Sequence, residues 1–184
     1  MKEFRYAVGL LYLMILAFGC SKSSDKNEAA ENTADLEKPA GIKINDTIPK
    51  VTGIGGIFFR AKDPEAIRAW YGRNLGLAID DYGSPFEFRN ARHPEQRNYL
   101  RWSPFKEKTG YFDPSGKQFM INYRVQNIEG LIRKLSNNGV SIVDSITAYD
   151  YGKFIHIMDP EGNKIELWEP VDSVFTKMGR PTTK

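Results

Sequence analysis

From Gly55 onward, apolar and polar positions fall into two successive runs of the same grammar. In "GGIFFRAKDPEAIRAWYGRNLGL" (55–77), Ile57, Phe59 and Ala61 alternate with Gly56, Phe58 and Arg60, the period of a strand. Asp63 then stands as a helix N-cap, Pro64 occupies the first helical position, and Ile67, Trp70, Tyr71 and Leu75 recur three or four apart until Gly76 stops the helix. "FMINYRVQNIEGLIRKLSNNGV" (119–140) repeats the scheme. Ile121, Tyr123 and Val125 alternate, Asn127 caps, Ile128, Leu131, Ile132 and Leu135 form the apolar face, and Gly139 ends it.

Strand-like segments follow each helix. They are "LAIDDY", "PFEFRN" and "NYLRWSPF" in the first half, and "SIVDSITAY", "GKFIHIM" and "NKIELWEP" in the second. Both halves end in Trp-x-Pro, at Trp102 and Trp168. Each half therefore reads as β-α-β-β-β, and two such halves bury the sheet face that one alone leaves bare. The class is α+β, with modules over about 51–105 and 118–170 in a domain spanning 47–172, and a C-terminal tail over 173–184.

The start of the chain has a different pattern. Lys2 and Arg5 precede an apolar run, Tyr6 to Gly19, of signal-peptide length and short for a membrane span. The run ends at "LAFGC", followed by a polar stretch. This resembles a bacterial lipoprotein signal, which implies a signal peptide over 1–19, cleavage before Cys20 and lipid attachment to its sulfur. Residues 20–46, rich in Ser, Asn, Ala, Lys and Glu, have little to bury and read as a disordered tether. The expected location is the bacterial cell envelope, with the head lipid-anchored to a membrane. Cys20 is the only cysteine, so on that reading disulfides and cysteine-bound zinc or iron–sulfur clusters are excluded.

Charge and composition change the picture little. The 184 residues are 41% hydrophobic, enough for a core, and the formal net charge is +3. Losing Lys2, Arg5 and Glu3 reduces the 26 basic and 23 acidic residues to 24 and 22, so the mature chain is nearly neutral. No dense basic cluster with interleaved aromatics appears, which speaks against nucleic acid as a partner.

"VTGIGGIFFRAKDPEAIRAWYGRNLGL" and "YGKFIHIMDPEGNKIELWEP" resemble the two signature ends of the vicinal oxygen chelate superfamily, the glyoxalase, bleomycin-resistance and extradiol-dioxygenase group. The resemblance implies a curled mixed sheet around a cup. In metal-using members, the first and last strand of each module supply the metal ligands. Aligned through the helix caps and Trp-x-Pro, these positions fall on Gly56, Leu100, Met120 and Glu166. Glycine and leucine offer no ligand, and methionine sulfur suits hard or borderline cations poorly. The reading is a cup without the family's metal and with no other cofactor. A divalent ion held by His156, Glu166 and donors misplaced by the alignment is the alternative.

"DPEGN" predicts a hairpin in which Met158 pairs with Lys164, His156 lies opposite Glu166, and Phe154 lies opposite Trp168. That face is expected to be the cup, because Ile155, Ile157, Ile165 and Leu167 occupy the other. In the first half the matching pair is about Phe88 and Leu100. A carboxylate beside His156 either favours the imidazolium or orients a neutral general base. His156 and Glu166 are thus the candidate catalytic pair. The bland alternative is a cross-strand polar pair that satisfies only itself.

Parity adds Phe58, Arg60, Asn122 and Arg124 to the cup, with the two arginines placed to clamp a carboxylate or phosphate. Phe154 and Trp168, with Phe86, Phe88 and Trp102, offer aromatic walls. Tyr111 and Phe112, in the loop joining the modules, read either as a lid or as buried anchors. The functional expectation is a cup for a small, anionic organic molecule, with acid/base isomerase or lyase chemistry. Alternatives are a sequestering protein of bleomycin-resistance type and a metal-dependent enzyme. Some superfamily members dimerise and build cups across chains, so the resemblance leaves a homodimer open.

Overall fold

The structure, a computed structural model, describes residues 47–184. The expectations for the signal peptide, Cys20 and the tether lie outside the described residues. The elements run β1 (Lys50–Ala61), α1 (Pro64–Leu75), β2 (Ser84–Arg89), β3 (Arg97–Lys106), β4 (Phe119–Gln126), α2 (Ile128–Asn137), β5 (Ser141–Ile142), β6 (Thr147–Tyr149), β7 (Gly152–Met158), β8 (Lys164–Pro170) and α3 (Asp172–Met178). They build one mixed sheet in the order β2-β3-β1-β4-β8-β7-β5, with β6 also paired to β7. The fold is α+β, as expected.

The duplication is visible in the pairing. In each half the first strand lies parallel to the last, β1 with β3 and β4 with β8. The halves join where β1 and β4 pair antiparallel. The helix ends follow the sequence. Asp63 accepts from the Ala66 amide at 2.9 Å, and Gly76 takes the left-handed conformation at φ 70°. Asn127 accepts from the Gly130 amide at 3.0 Å.

Two segments differ from expectation. "LAIDDY" is not a strand but a tight turn closed by an isolated Asp80–Gly83 bridge. The Asp80 carboxylate accepts the amides of Tyr82 and Gly83 at 2.9 and 3.0 Å, folding the chain back where an extended run was expected. The edge of β2 is covered instead by the C-terminus. Thr183 donates its amide to Pro85 O at 2.8 Å and accepts from the Glu87 amide at 2.9 Å. Residues 173–184 are thus a helix and an edge bridge.

The second difference is that "SIVDSITAY" breaks into β5 and β6 around Asp144. There the Asp144 side chain accepts the His156 amide at 2.9 Å, standing in for a ladder carbonyl.

α2 buries Ile128 and Leu131 against Val125, Ile155, Ile157 and Leu167, which form the main core. α1 has no buried residue: Trp70 is 50% and Leu75 58% exposed. Its main attachment is Tyr71 against Trp102, with ring centroids 4.5 Å apart.

Candidate functional site: a cup with a carboxylate–imidazole–carboxylate floor

The β7–β8 register is the expected one. Met158 faces Lys164, His156 faces Glu166, and Phe154 faces Trp168. Because strand side chains alternate, this puts a polar pair and an aromatic pair on one face and the isoleucines on the other. In the first half it is Phe86, not Phe88, that faces Leu100.

On the concave face lies a cavity of about 650 Å³, within the range of small-ligand sites. Of the residues singled out in the sequence, Phe58, Asn122, Phe154, His156, Glu166 and Trp168 line it. Arg60 and Arg124 do not, and the expected double clamp is not assembled. The Arg60 guanidinium donates to the carbonyls of Glu107 and Thr109 at 2.5 and 3.1 Å and lies over the Phe112 ring, fastening the inter-module loop. Arg124 is ion-paired to Asp172, donates to Tyr99 O at 2.9 Å and lies over Trp168.

At the floor, Glu166 is 2% exposed and its carboxylate takes three donors. Asn122 Nδ2 reaches Oε1 at 2.5 Å, and His156 Nε2 reaches Oε2 at 3.0 Å. The Tyr111 hydroxyl also donates to Oε2. On its other side His156 Nδ1 meets Asp144 Oδ2 at 2.6 Å. Both ring nitrogens face carboxylate oxygens, an arrangement that only the doubly protonated imidazolium satisfies at both and therefore favours. Burial opposes that charge, but the hydrogen bond and charge of Glu166 and the bond to Asp144 outweigh it and raise the His156 pKa above its ordinary value. Burial, then the charge of Glu166 and the bond to it, drive the Tyr111 pKa far upward, so the phenol keeps its proton.

Two members of this chain were not assigned to it from the sequence. Asp144 sat unremarked inside a presumed strand. Tyr111 was expected as a lid or anchor, and it is Phe112, fully buried with Phe58 and Met120, that anchors. Tyr111 stacks on Phe105 with centroids 5.1 Å apart, which aims its hydroxyl at Glu166. Gly55, at a register shift in β1, lies under Asn122 and Trp168. A Cβ there would come within 2.8 Å of Trp168 Cε3 and closer still to Asn122 Oδ1. α3 borders the cavity through Phe175 and Met178. Trp102 packs outward on α1 while Trp168 lines the cavity, so the two Trp-x-Pro motifs do not match face for face.

The sequence profile of the Glyoxalase/Bleomycin resistance protein/Dioxygenase superfamily matches residues 53–167. The chain belongs to this superfamily. Among curated proteins none matches it. Among solved structures, the chain is similar to the Mn(II)-bound glyoxalase from Novosphingobium aromaticivorans at TM-score 0.50 and 14% identity, over 74% of this chain and 42% of that one. Methylmalonyl-CoA epimerase from Mycobacterium tuberculosis aligns at TM-score 0.44 and 20% identity, over 68% and 93% of the two chains. A superfamily member from Vibrio splendidus 12B01 aligns at 0.42 and 13%, over 63% and 97%.

The superfamily implies a metal, and the donor set here does not fit one. Met120 is buried among Phe58 and Phe112. On β3 the register partner of Gly56 is Arg101, a cation. His156 has no ring nitrogen left for a metal, and Glu166 already serves three donors. Among the described residues no group of three or more His, Cys, Asp or Glu converges on a point.

Proposed function

We propose that this superfamily member binds a small organic molecule in its cup and moves protons on it without a metal, as an isomerase or lyase. The observation that supports this reading is the continuous chain Asp144–His156–Glu166–Tyr111 along the cavity wall. Its two ends are the groups that meet a ligand. The Asp144 side chain is 42% exposed, and Tyr111 faces the same cavity. His156, with both nitrogens engaged, stands between them as the proton store and does not itself touch the ligand.

The proton balance closes within the chain. Tyr111 gives its proton to the carbonyl oxygen as charge develops there and is reprotonated through Glu166 from His156 Nε2, while Asp144 takes a proton from the carbon next to the carbonyl and then faces a neutral ring protonated at Nδ1. The net change is keto to enol; in an α-hydroxy carbonyl compound, return of the Asp144 proton to the former carbonyl carbon and of a hydroxyl proton to His156 Nε2 through Tyr111 and Glu166 completes an isomerisation.

The test is solvent deuterium incorporation, by NMR, into a panel of small carbonyl compounds. Exchange is expected with EDTA present and is expected to fall by about 10²-fold or more in Glu166→Gln and Tyr111→Phe. Exchange that needs an added divalent ion would refute the metal-independent reading. A second reading, sequestration without chemistry, is favoured by how completely the chain satisfies itself. Under it, compounds bind and no deuterium enters. The lipid anchor and envelope location stand as part of the proposal on the pattern around Cys20. Cys20→Ala is expected to shift the protein from the membrane to the soluble fraction.

A further inference from the structure

The cup's chemistry is unusual in what faces inward. Arg60 and Arg124 are both turned away, each spent on backbone carbonyls or an acid. What remains at the inner end is acidic: the half-exposed Asp144 carboxylate, with the buried Glu166 carboxylate behind it. Asn122 Oδ1, without a hydrogen-bond donor among the described residues, is sealed against Gly55 and offers the ligand nothing.

Around these acceptors the wall is aromatic. Phe154 stacks parallel to Trp168 at 5.8 Å, Phe175 stands edge-on to Trp168 at 5.7 Å, and Tyr151 joins Phe154 and Phe175 at 5.6 and 6.0 Å. Aromatic faces beside carboxylates are a setting for an organic cation. Besides His156, which Asp144 and Glu166 neutralise between them, two arginines border the cavity. Arg101 is neutralised by Asp80, whereas Arg180, exposed just beyond α3, has neither an ion pair nor a hydrogen bond to the described residues.

We infer that the cup selects a small amphoteric molecule, with an ammonium group settled among the aromatic rings against the Asp144 carboxylate and an anionic arm directed to Arg180. This inference rests on the cup as a small-molecule site and not on its acid/base chemistry. It replaces the simple anion expected from the two arginines.

Three compounds with one skeleton separate the charges: phenylalanine carries both, phenethylamine only the cation, and 3-phenylpropionate only the anion. Binding to residues 47–184 within the full chain is measured by calorimetry. Phenylalanine is expected to bind best, and phenethylamine about 10-fold tighter than 3-phenylpropionate, the scale of one partly desolvated cation–π and carboxylate contact. Asp144→Asn is expected to weaken phenethylamine about 10-fold. Because Asp144 also holds His156, Arg180→Ala serves as the variant free of structural contacts; it should weaken phenylalanine and leave phenethylamine unchanged.

Binding of 3-phenylpropionate equal to or tighter than that of phenethylamine overturns the inference. So does the absence of binding by all three, or an Arg180→Ala effect as large on phenethylamine as on phenylalanine. Since no turnover is read, the expected ranking without deuterium exchange elsewhere would sink the acid/base reading and leave this one standing. Exchange without the ranking would do the reverse.

Discussion

A histidine held by two carboxylates ties the site to the stability of the protein. The His156 pKa is raised in the native state, against burial, by Glu166 and Asp144. The sign of the linkage follows. A group that binds its proton more tightly when folded contributes stability that is complete below its unfolded value, ~6.5, and is lost as pH rises through the native value. Wild type and His156→Gln should therefore differ most in urea midpoint near about pH 6 and converge as the pH climbs above the native value. A gap that is constant or widens toward alkaline pH would mean that the ring is not the charged partner. The pairing of His156 with Glu166 was legible because both residues sit in one hairpin whose turn, "DPEGN", sets the register. Asp144 was not. Its contact comes from an interruption in the β5–β6 edge, where a side chain replaces a backbone acceptor, and no periodicity announces that. Tyr111 approaches Glu166 across 55 positions of chain, set by stacking on Phe105, and its spacing carries no trace of this.

Among the elements, the least expected is the closing segment. α3 crosses from β8 to the other half of the sheet, where Phe175 meets Tyr99 with centroids 5.5 Å apart and Thr176 bonds the Tyr99 hydroxyl at 3.0 Å. Thr183 then locks it down. Its hydroxyl oxygen accepts the Ala78 amide and shares a hydrogen bond with Ser84 Oγ, both at 2.8 Å, and Ser84 is fully buried. Thr183→Val keeps the shape and strands both partners, so the expected cost is about 1–3 kcal/mol in urea denaturation. It should also quicken amide exchange across 172–178, because α3 forms one wall of the cavity. An unchanged exchange rate would show that α3 holds its place without the clip. Helices of this fold read well where caps and stops are local: Asp63, Gly76 and Asn127 all act as their types imply. The same pattern overstated α1. Its apolar stripe is present in the sequence, yet only Tyr71 finds a firm partner, because Asp80 folds the segment after α1 into a turn instead of a strand.

At the scale of the molecule, the two halves are a repeat in sequence and one body in structure. Strand β1 is twelve residues long and pairs with β3 of its own half and β4 of the other. The second half returns the dependence. Asp172 of α3 accepts from Asn98 in β3 at 2.9 Å, and the Thr183 clip holds β2. Residues 118–184 alone would therefore expose the unpaired edge of β4 and strand α3 without Tyr99, while residues 47–117 would lose the partner of β1 along most of its length. The duplication itself was legible because each half carries its own cap, stop and strand set. The interdependence was not, because it rests on a few contacts between positions far apart in the chain, and on Trp102 and Trp168 facing opposite ways despite identical motifs. A protein joined this way should unfold in one step. Far-ultraviolet circular dichroism reports the whole sheet, and the fluorescence of Trp70, Trp102 and Trp168 samples both halves. The two urea curves are expected to coincide, and the separate halves are expected to lack a cooperative transition. Two resolved transitions, or a second half that folds alone, would place the boundary between the modules where the sequence repeat alone would put it and would make the shared β1–β4 ladder an accessory rather than the spine of the fold.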